Sequence, residues 1–208
     1  MTVEIRKDTS ADLADYATVA ATFTVTSRVE VSGHSAGAAL AIHPVALPYV
    51  KDYDAVSGGG PLTWPERFQV DGWGLFSART GKKCVGAVAV TTDPTLLEQA
   101  LLEPAPAILF DIRVAPSHRG VGVGHALFAA AERWAQARGC RTILAETQDI
   151  NVAACRFYEA QGFHLATVDP RAYPTLPDEV RLVWRKTIRA TAGPLPVALA
   201  TPTPIVRS

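Results

Sequence analysis

The stretch Ile108-Leu-Phe-Asp-Ile-Arg-Val114, followed by Ala115-Pro-Ser-His118 and then Arg119-Gly-Val-Gly-Val-Gly124, decides how this chain is read. Its first part has the apolar, β-branched composition of a strand. The proline breaks it. The glycine turn then opens Ala126-Leu-Phe-Ala-Ala-Ala-Glu-Arg-Trp134, whose apolar residues recur at helical spacing, and the pattern predicts a helix over about 122–138. The predicted apolar stripe is Val123, Leu127, Ala130, Trp134 and Ala137, ending at Gly139. A helix start presents amides with no intrahelical partner and a partial positive charge, which suits an anion. Three glycines there weaken a purely structural helix start by about 1 kcal/mol each, so a bound anion explains them better.

Two common phosphate motifs fail. A P-loop needs Lys and Ser or Thr after its last glycine, and Gly124 is followed by His125 and Ala126. A dinucleotide fingerprint counted from Gly120 and Gly122 needs a third glycine where His125 stands.

The pattern that fits is Arg-x-x-Gly-x-Gly. Arg119, Gly120, Val121, Gly122, Val123 and Gly124 resemble the pyrophosphate-binding signature of the GNAT acetyltransferase superfamily. Downstream, Asn151-Val-Ala-Ala-Cys-Arg-Phe-Tyr-Glu-Ala-Gln-Gly-Phe163 is similar to that superfamily's second motif. A narrower resemblance is to streptothricin acetyltransferases, in Glu146-Thr-Gln-Asp-Ile-Asn-Val-Ala-Ala-Cys155 and Tyr49-Val-Lys-Asp-Tyr53. Those enzymes tend to carry Glu where this chain has Phe110.

The resemblance implies acetyl-CoA as co-substrate, no metal, and direct transfer of the acetyl group to a primary amine. In this reading Arg119 to Gly124 hold the pyrophosphate. Backbone of Ile112 and Val114 pairs with the pantetheine arm, and Asn151 meets it or simply caps its helix. Tyr158 is the general acid, because a phenol is protonated at neutral pH and can donate to a leaving thiolate. Phe157 is the better core residue of the Phe157-Tyr158 pair, which leaves Tyr158 for the cleft. Glu146 is the candidate base; it binds the ammonium instead if water takes the proton, and Asp111 competes for either role. Strand alternation places Asp111 opposite Phe110 and Ile112. The acceptor subsite is Asp52, Tyr53, Asp111, Tyr173 and Glu179, acidic enough for a cationic, streptothricin-like amine. A protein lysine or N-terminus as acceptor, and a non-catalytic acyl-CoA-binding module, stay open.

Composition agrees with this class. The chain has 208 residues, 48% apolar and 19% charged, with 20 basic and 20 acidic residues. That suits one globular domain and supplies no basic excess for nucleic acid. Cys84, Cys140 and Cys155 lack metal or redox spacing, as do the five histidines. The chain shows no signal peptide and no apolar run of about 18 residues, so a cytoplasmic protein is expected, with no membrane partner and room for a homodimer.

The remaining expected elements are a strand at 3–7, a helix capped by Ser10, a strand or extended arm at 22–32, and a hairpin over 73–91. A short helix is expected over 93–103, a strand at 142–147, a helix from Asn151 to about Gln161, and a last strand at 180–186. The fold class is α/β (mixed α+β), a mixed central sheet with helices on both faces. Residues 1–189 form the domain; residues 190–208 form a proline-rich, nearly uncharged tail.

Overall fold

A computed structural model describes residues 2–32, 39–56 and 59–189. Nine strands alternate with short helices in these segments. They are β1 (Glu4–Asp8), β2 (Thr22–Ser32), β3 (Ala39–Asp52), β4 (Gly74–Thr80), β5 (Lys83–Thr91), β6 (Pro106–Val114), β7 (Thr142–Gln148), β8 (His164–Asp169) and β9 (Arg181–Thr187). The helices are α1 (Leu13–Ala17), α2 (Tyr53–Val56), α3 (Trp64–Arg67), α4 (Val123–Ala137) and α5 (Val152–Ala160). Seven strands form one sheet in the order β1-β4-β5-β6-β7-β9-β8; β2 and β3 form a separate antiparallel hairpin. Every neighbouring pair in the large sheet is antiparallel except β6 with β7, which are parallel and joined through α4.

Helices cover both faces. On one face Leu127, Phe128, Ala131 and Trp134 of α4 and Cys155 and Tyr158 of α5 pack on Val88, Ile143, Leu182 and Trp184. On the other, Leu13 and Tyr16 of α1 and Trp64 of α3 pack on Trp73, Leu75, Ala87 and Ala89. Both faces of β5 are therefore buried, and its run Cys-Val-Gly-Ala-Val-Ala-Val is apolar throughout rather than alternating. Burying each large apolar side chain stabilises the fold by about 1.5–3 kcal/mol.

Several expectations are corrected. The chain enters α1 through a 3-10 turn, Ser10–Asp12, capped by Thr9 instead of Ser10, and the Thr9 amide and hydroxyl donate to Asp12 Oδ2 at 2.9 and 3.0 Å. Residues 93–103 form two short 3-10 segments, Pro94–Leu96 and Glu98–Leu102, instead of one helix. The Asp93 cap is present, its Oδ1 accepting from the Thr95 amide at 3.0 Å. Ala137, expected in the apolar stripe of α4, is exposed. Two strands escaped the pattern. β3 carries Pro44 and Pro48, which a strand tolerates because β3 pairs only with β2. β8 is a short edge strand with little apolar alternation, and β9 enters between it and β7. The tail at 190–208 lies outside the described residues. Among the described residues no helix is long and apolar enough to cross a membrane.

Candidate active site

β6 and β7 pair only over Pro106–Leu109 and Thr142–Ala145. Beyond that point β6 continues to pair with β5 and β7 with β9, so the two parallel strands diverge and each leaves an edge facing the gap. Backbone polar groups on such an edge need a partner. A cleft of about 540 Å³ opens there. Ile112, Val114, Arg119, Gly124 and Asn151 line it, with Glu146, Tyr53 and Tyr158.

The glycine turn lies at one end. Gly120 and Gly122 have φ of +74° and +91°, a region side chains other than glycine adopt only with strain. Gly122 is the cap of α4, and the first helical bond runs from the Ala126 amide to the Gly122 carbonyl at 3.0 Å. The amides of Val123, Gly124 and His125 precede that bond and have no acceptor within the helix. A Cβ at Gly124 would come within 3.2 Å of the Phe157 ring, so that glycine is a packing requirement between α4 and α5. The Val123 side chain is buried in the core, while that of Val121 points to solvent, 71% exposed. Arg119 donates from Nε to the Val114 carbonyl at 2.9 Å and from Nη2 to the Thr22 carbonyl at 3.4 Å, spanning the end of β6 and the start of β2.

On α5, Asn151 caps the helix. Its Oδ1 accepts from the Ala154 amide at 3.1 Å, and its Nδ2 donates to the Tyr53 hydroxyl at 3.3 Å. The expectation about the neighbouring aromatic pair is corrected. Tyr158, 5% exposed, is the core residue, against Phe163 and Trp184; Phe157 is only half-buried. Tyr158 still borders the cleft. Burial raises its phenol well above the ordinary 10, and the neighbouring Tyr53 and Asp111 add to the rise. Burial likewise raises Tyr53, opposed by hydrogen bonds to Asn151 and Thr147. Cys155 is buried, its thiol pushed up to about 12 by desolvation.

Glu146 comes from the other side of the sheet. It shares a β7 face with Leu144, which packs on Ile108 and Val183. Tyr173 donates to Glu146 Oε1 at 2.8 Å, and Gln148 Nε2 donates to the Tyr173 hydroxyl at 2.9 Å. Burial, then the Glu146 charge, raise the Tyr173 phenol, so it stays a donor. Arg181 Nη1 stands 3.9 Å from Glu146 Oε2.

Asp111 is placed differently from the alternation argument. Ala89 pairs with Asp111 but Val90 pairs with Leu109, so Phe110 is an extra residue in β6. Such a bulge resets the alternation. Phe110 and Asp111 both face the α1 and α3 layer, and only Ile112 faces α4. There Asp111 is fully engaged. Arg113 donates to it from Nε at 2.9 Å and from Nη2 at 2.7 Å, and Tyr16 donates at 2.7 Å. The same guanidinium binds Asp54 at 2.8 and 3.0 Å and the Val19 carbonyl at 3.0 Å. Burial acts to lower the Arg113 pKa, but Asp111 and Asp54 outweigh it and raise it.

The expected acceptor subsite is not one cluster. Asp52 Oδ1 accepts from the Asp54 amide at 3.0 Å at the start of α2. Glu179 is buried and ion-paired with buried Lys51. Neither lines the cleft, whereas Tyr53 and Asp111 do and Tyr173 reaches it through Glu146. Asp54, one of the carboxylates expected to make the cleft acidic, lines it, whereas the sequence reading missed Arg113 and Tyr16 and the aromatic wall of Trp64, Phe68 and Phe110. Two signals were available: Arg113 lies two residues from Asp111 on one strand, and Trp64 and Phe68 stand at i, i+4. Among the described residues no group of three His, Cys, Asp or Glu is placed to hold a metal.

The chain is similar to several known proteins. The streptothricin acetyltransferase A of Bacillus subtilis is 39% identical over 80 residues, 38% of this chain and 46% of that protein. The streptothricin acetyltransferase of Escherichia coli is 41% identical over 76 residues, 35% of this chain and 44% of that protein. The chain thus spans less than half the length of these curated relatives. A structure provisionally named a streptothricin acetyltransferase, from Bacillus anthracis str. Ames in complex with acetyl coenzyme A, superposes with a TM-score of 0.73. It is 27% identical, over 90% of this chain and 99% of that one. Residues 50–163, more than half of the chain, match the Acetyltransferase (GNAT) family, so this protein belongs to the GNAT acetyltransferases.

Proposed function

We propose that this protein transfers the acetyl group of acetyl-CoA directly to a primary amine of a small acceptor. One observation carries the reading: the open edge of β6, the free amides at the start of α4, and Glu146 with Tyr158 all converge on one cleft. The pantetheine arm pairs with β6 at Ile112 and Val114 as an added strand would. The pyrophosphate sits on the amides of the 120–125 turn, where helix polarity favours negative charge, and Arg119 adds its guanidinium. Asn151 holds its helix start and faces the same arm.

Opposite, Glu146 receives the acceptor ammonium, held in orientation by Tyr173. The amine nitrogen attacks the thioester carbonyl carbon, the carbon–sulfur bond breaks, and the sulfur leaves as thiolate. Glu146, directly or through water, accepts the proton the ammonium loses before attack; the Tyr158 hydroxyl supplies the thiolate's proton and is restored by the second proton, lost from the nitrogen of the adduct. Glu146 is preferred to Asp111 as base, because Arg113 and Tyr16 already hydrogen-bond both Asp111 oxygens. Tyr53 borders the acceptor, while Asp52 and Glu179 support the walls. Work in the cytoplasm follows from acetyl-CoA as co-substrate.

The relatives named for streptothricin make that antibiotic the first acceptor to test. The decisive experiment incubates the protein with acetyl-CoA and pooled amines and follows free CoA thiol together with acetylated products by mass spectrometry. Matched thiol release and acetylated amine support the reading. Acetyl-CoA binding without product leaves a non-catalytic binding module, and acetylation of peptides alone moves the acceptor to proteins.

A further inference from the structure

The cleft has two unlike walls. On the side facing away from the α4 amides it is lined by Trp64, Phe68, Phe110, Leu96, Leu97 and Ile108. The aromatic members form one cluster: Phe110 is 4.6 Å from Trp73 and 5.3 Å from both Trp64 and Phe68, centroid to centroid. Trp64 is 4% exposed, whereas Phe110 and Phe68 keep partial exposure, so these two rings present apolar surface to whatever enters.

The charges on that side nearly cancel. The carboxylates lining it are Asp54, Asp111 and Glu146, and the guanidinium groups are Arg67 and Arg113. Arg113 is shared between Asp54 and Asp111 through paired hydrogen bonds, so an ammonium at either carboxylate would compete with that guanidinium. Glu146 has no paired guanidinium: Tyr173 donates to its Oε1 at 2.8 Å, Arg181 stands 3.9 Å from its Oε2, and its side chain keeps about a third of its exposure. One carboxylate accommodates one ammonium. A second ammonium against an aromatic and aliphatic wall would lose hydration without gaining a partner.

Resting on the acetyl-transfer reading above, we infer that the acceptor is an amine with a single ammonium on an apolar body, selected by Phe110 and Phe68 together with Glu146. Phe110 is the residue that sets this preference, because the bulge in β6 turns it into the acceptor side of the cleft. Aromatic faces also attract cations. Here the Arg67 guanidinium already stands over the Phe68 ring, 4.9 Å from its centroid, and Phe110 meets Trp64 and Phe68 at 89° and 71°, edge against face.

The test compares kcat/KM by CoA thiol release for n-hexylamine, 2-phenylethylamine, 1,6-diaminohexane, spermidine and streptothricin, with wild type, Phe110→Glu and Phe110→Leu. Wild type is expected to prefer n-hexylamine over 1,6-diaminohexane by at least about tenfold, a difference of about 1.4 kcal/mol. Phe110→Leu should keep that order, and Phe110→Glu should reverse it. Acetyl-CoA affinity measured on each variant shows that the fold is intact. Equal or better use of the diamine, spermidine or streptothricin by wild type overturns this inference while leaving acetyl transfer standing. An unchanged ratio in Phe110→Glu overturns the role of Phe110. No thiol release with any amine, despite acetyl-CoA binding, overturns the acetyl-transfer reading and this inference with it.

Discussion

Phe110 and Asp111 are consecutive in β6 yet turn to the same face of the sheet, because the register with β5 skips Phe110. The consequence is a division of labour. Phe110 is left at the cleft wall among Trp64, Phe68 and Trp73, and Asp111 is delivered to Arg113 and Tyr16. The Arg113 side chain, 5% exposed, ties β6, Asp54 at the start of α2 and the end of α1 together.

Arg113→Ala should therefore be among the most damaging single changes. It leaves Asp54 and Asp111 without their shared cation. Loss of one partner from a buried ion pair costs about 3–5 kcal/mol, and the lower end applies because both carboxylates keep some solvent contact. Arg113→Lys should recover little, since an ammonium cannot bind two carboxylates in paired fashion. Urea denaturation checks both. A loss under about 1 kcal/mol for Arg113→Ala would show that the network is not holding the fold.

Tyr173→Phe removes the 2.8 Å hydrogen bond to Glu146 while keeping the ring. A hydrogen bond to a charged group contributes about 1.5–3 kcal/mol. If Tyr173 orients Glu146 for the acceptor, the amine KM should rise by about three- to tenfold while acetyl-CoA affinity stays at the wild-type value. Equal changes in both would mean that Tyr173 supports the cleft as a whole. Steady-state kinetics and calorimetry separate the two.

Much of this site was legible because its signals are local. The 119–124 turn, the periodicity of α4, the Asn151 cap and the 74–91 hairpin each declare themselves within a few residues. What was not legible depends on partners far away in sequence. The bulge at Phe110 is decided by the β5 register. Arg113 meets Asp54 across 59 residues, and Tyr16 meets Asp111 across 95. Asp111 looked like a free acid only because those partners were out of view. The Phe157-Tyr158 assignment failed for a related reason: helical geometry separates the two rings, but the position of Trp184 decides which one goes inward. β3 had no sequence signal of its own, and its two prolines fit a strand only because it pairs on one side.

The glycine turn gives a prediction in two parts. Gly122→Ala adds a side chain where φ is +91° and nothing lies within 4 Å, so the change is backbone strain alone, about 1–2 kcal/mol of stability. Gly122→Asp adds the same strain plus a carboxylate beside the free amides. If those amides hold the pyrophosphate, acetyl-CoA affinity should fall at least about tenfold further in Gly122→Asp than in Gly122→Ala. Gly124→Asp should do the same and also displace Phe157. Equal affinities for Gly122→Ala and Gly122→Asp by calorimetry would move the pyrophosphate elsewhere.

The chemistry is tested by Tyr158→Phe and Glu146→Gln read against pH. Burial raises the folded-state pKa of Tyr158 above its ordinary value of about 10. The stability linked to this phenol is therefore fully present below about pH 10 and falls as pH rises beyond it, where the unfolded chain ionises first. Throughout the neutral range the hydroxyl is intact and able to donate. Tyr158→Phe should thus lower kcat by about 10²–10⁴-fold, the range for a positioned general acid, at every pH from neutral to about 9. It should leave acetyl-CoA affinity unchanged, because the ring still packs on Phe163 and Trp184. Glu146→Gln should act differently, lowering turnover most at neutral pH and least at high pH, where the free amine needs no base. Near-normal kcat in Tyr158→Phe would assign that residue to packing. A Glu146→Gln variant with raised amine KM and unchanged kcat would make Glu146 the ammonium-binding group and water the proton acceptor.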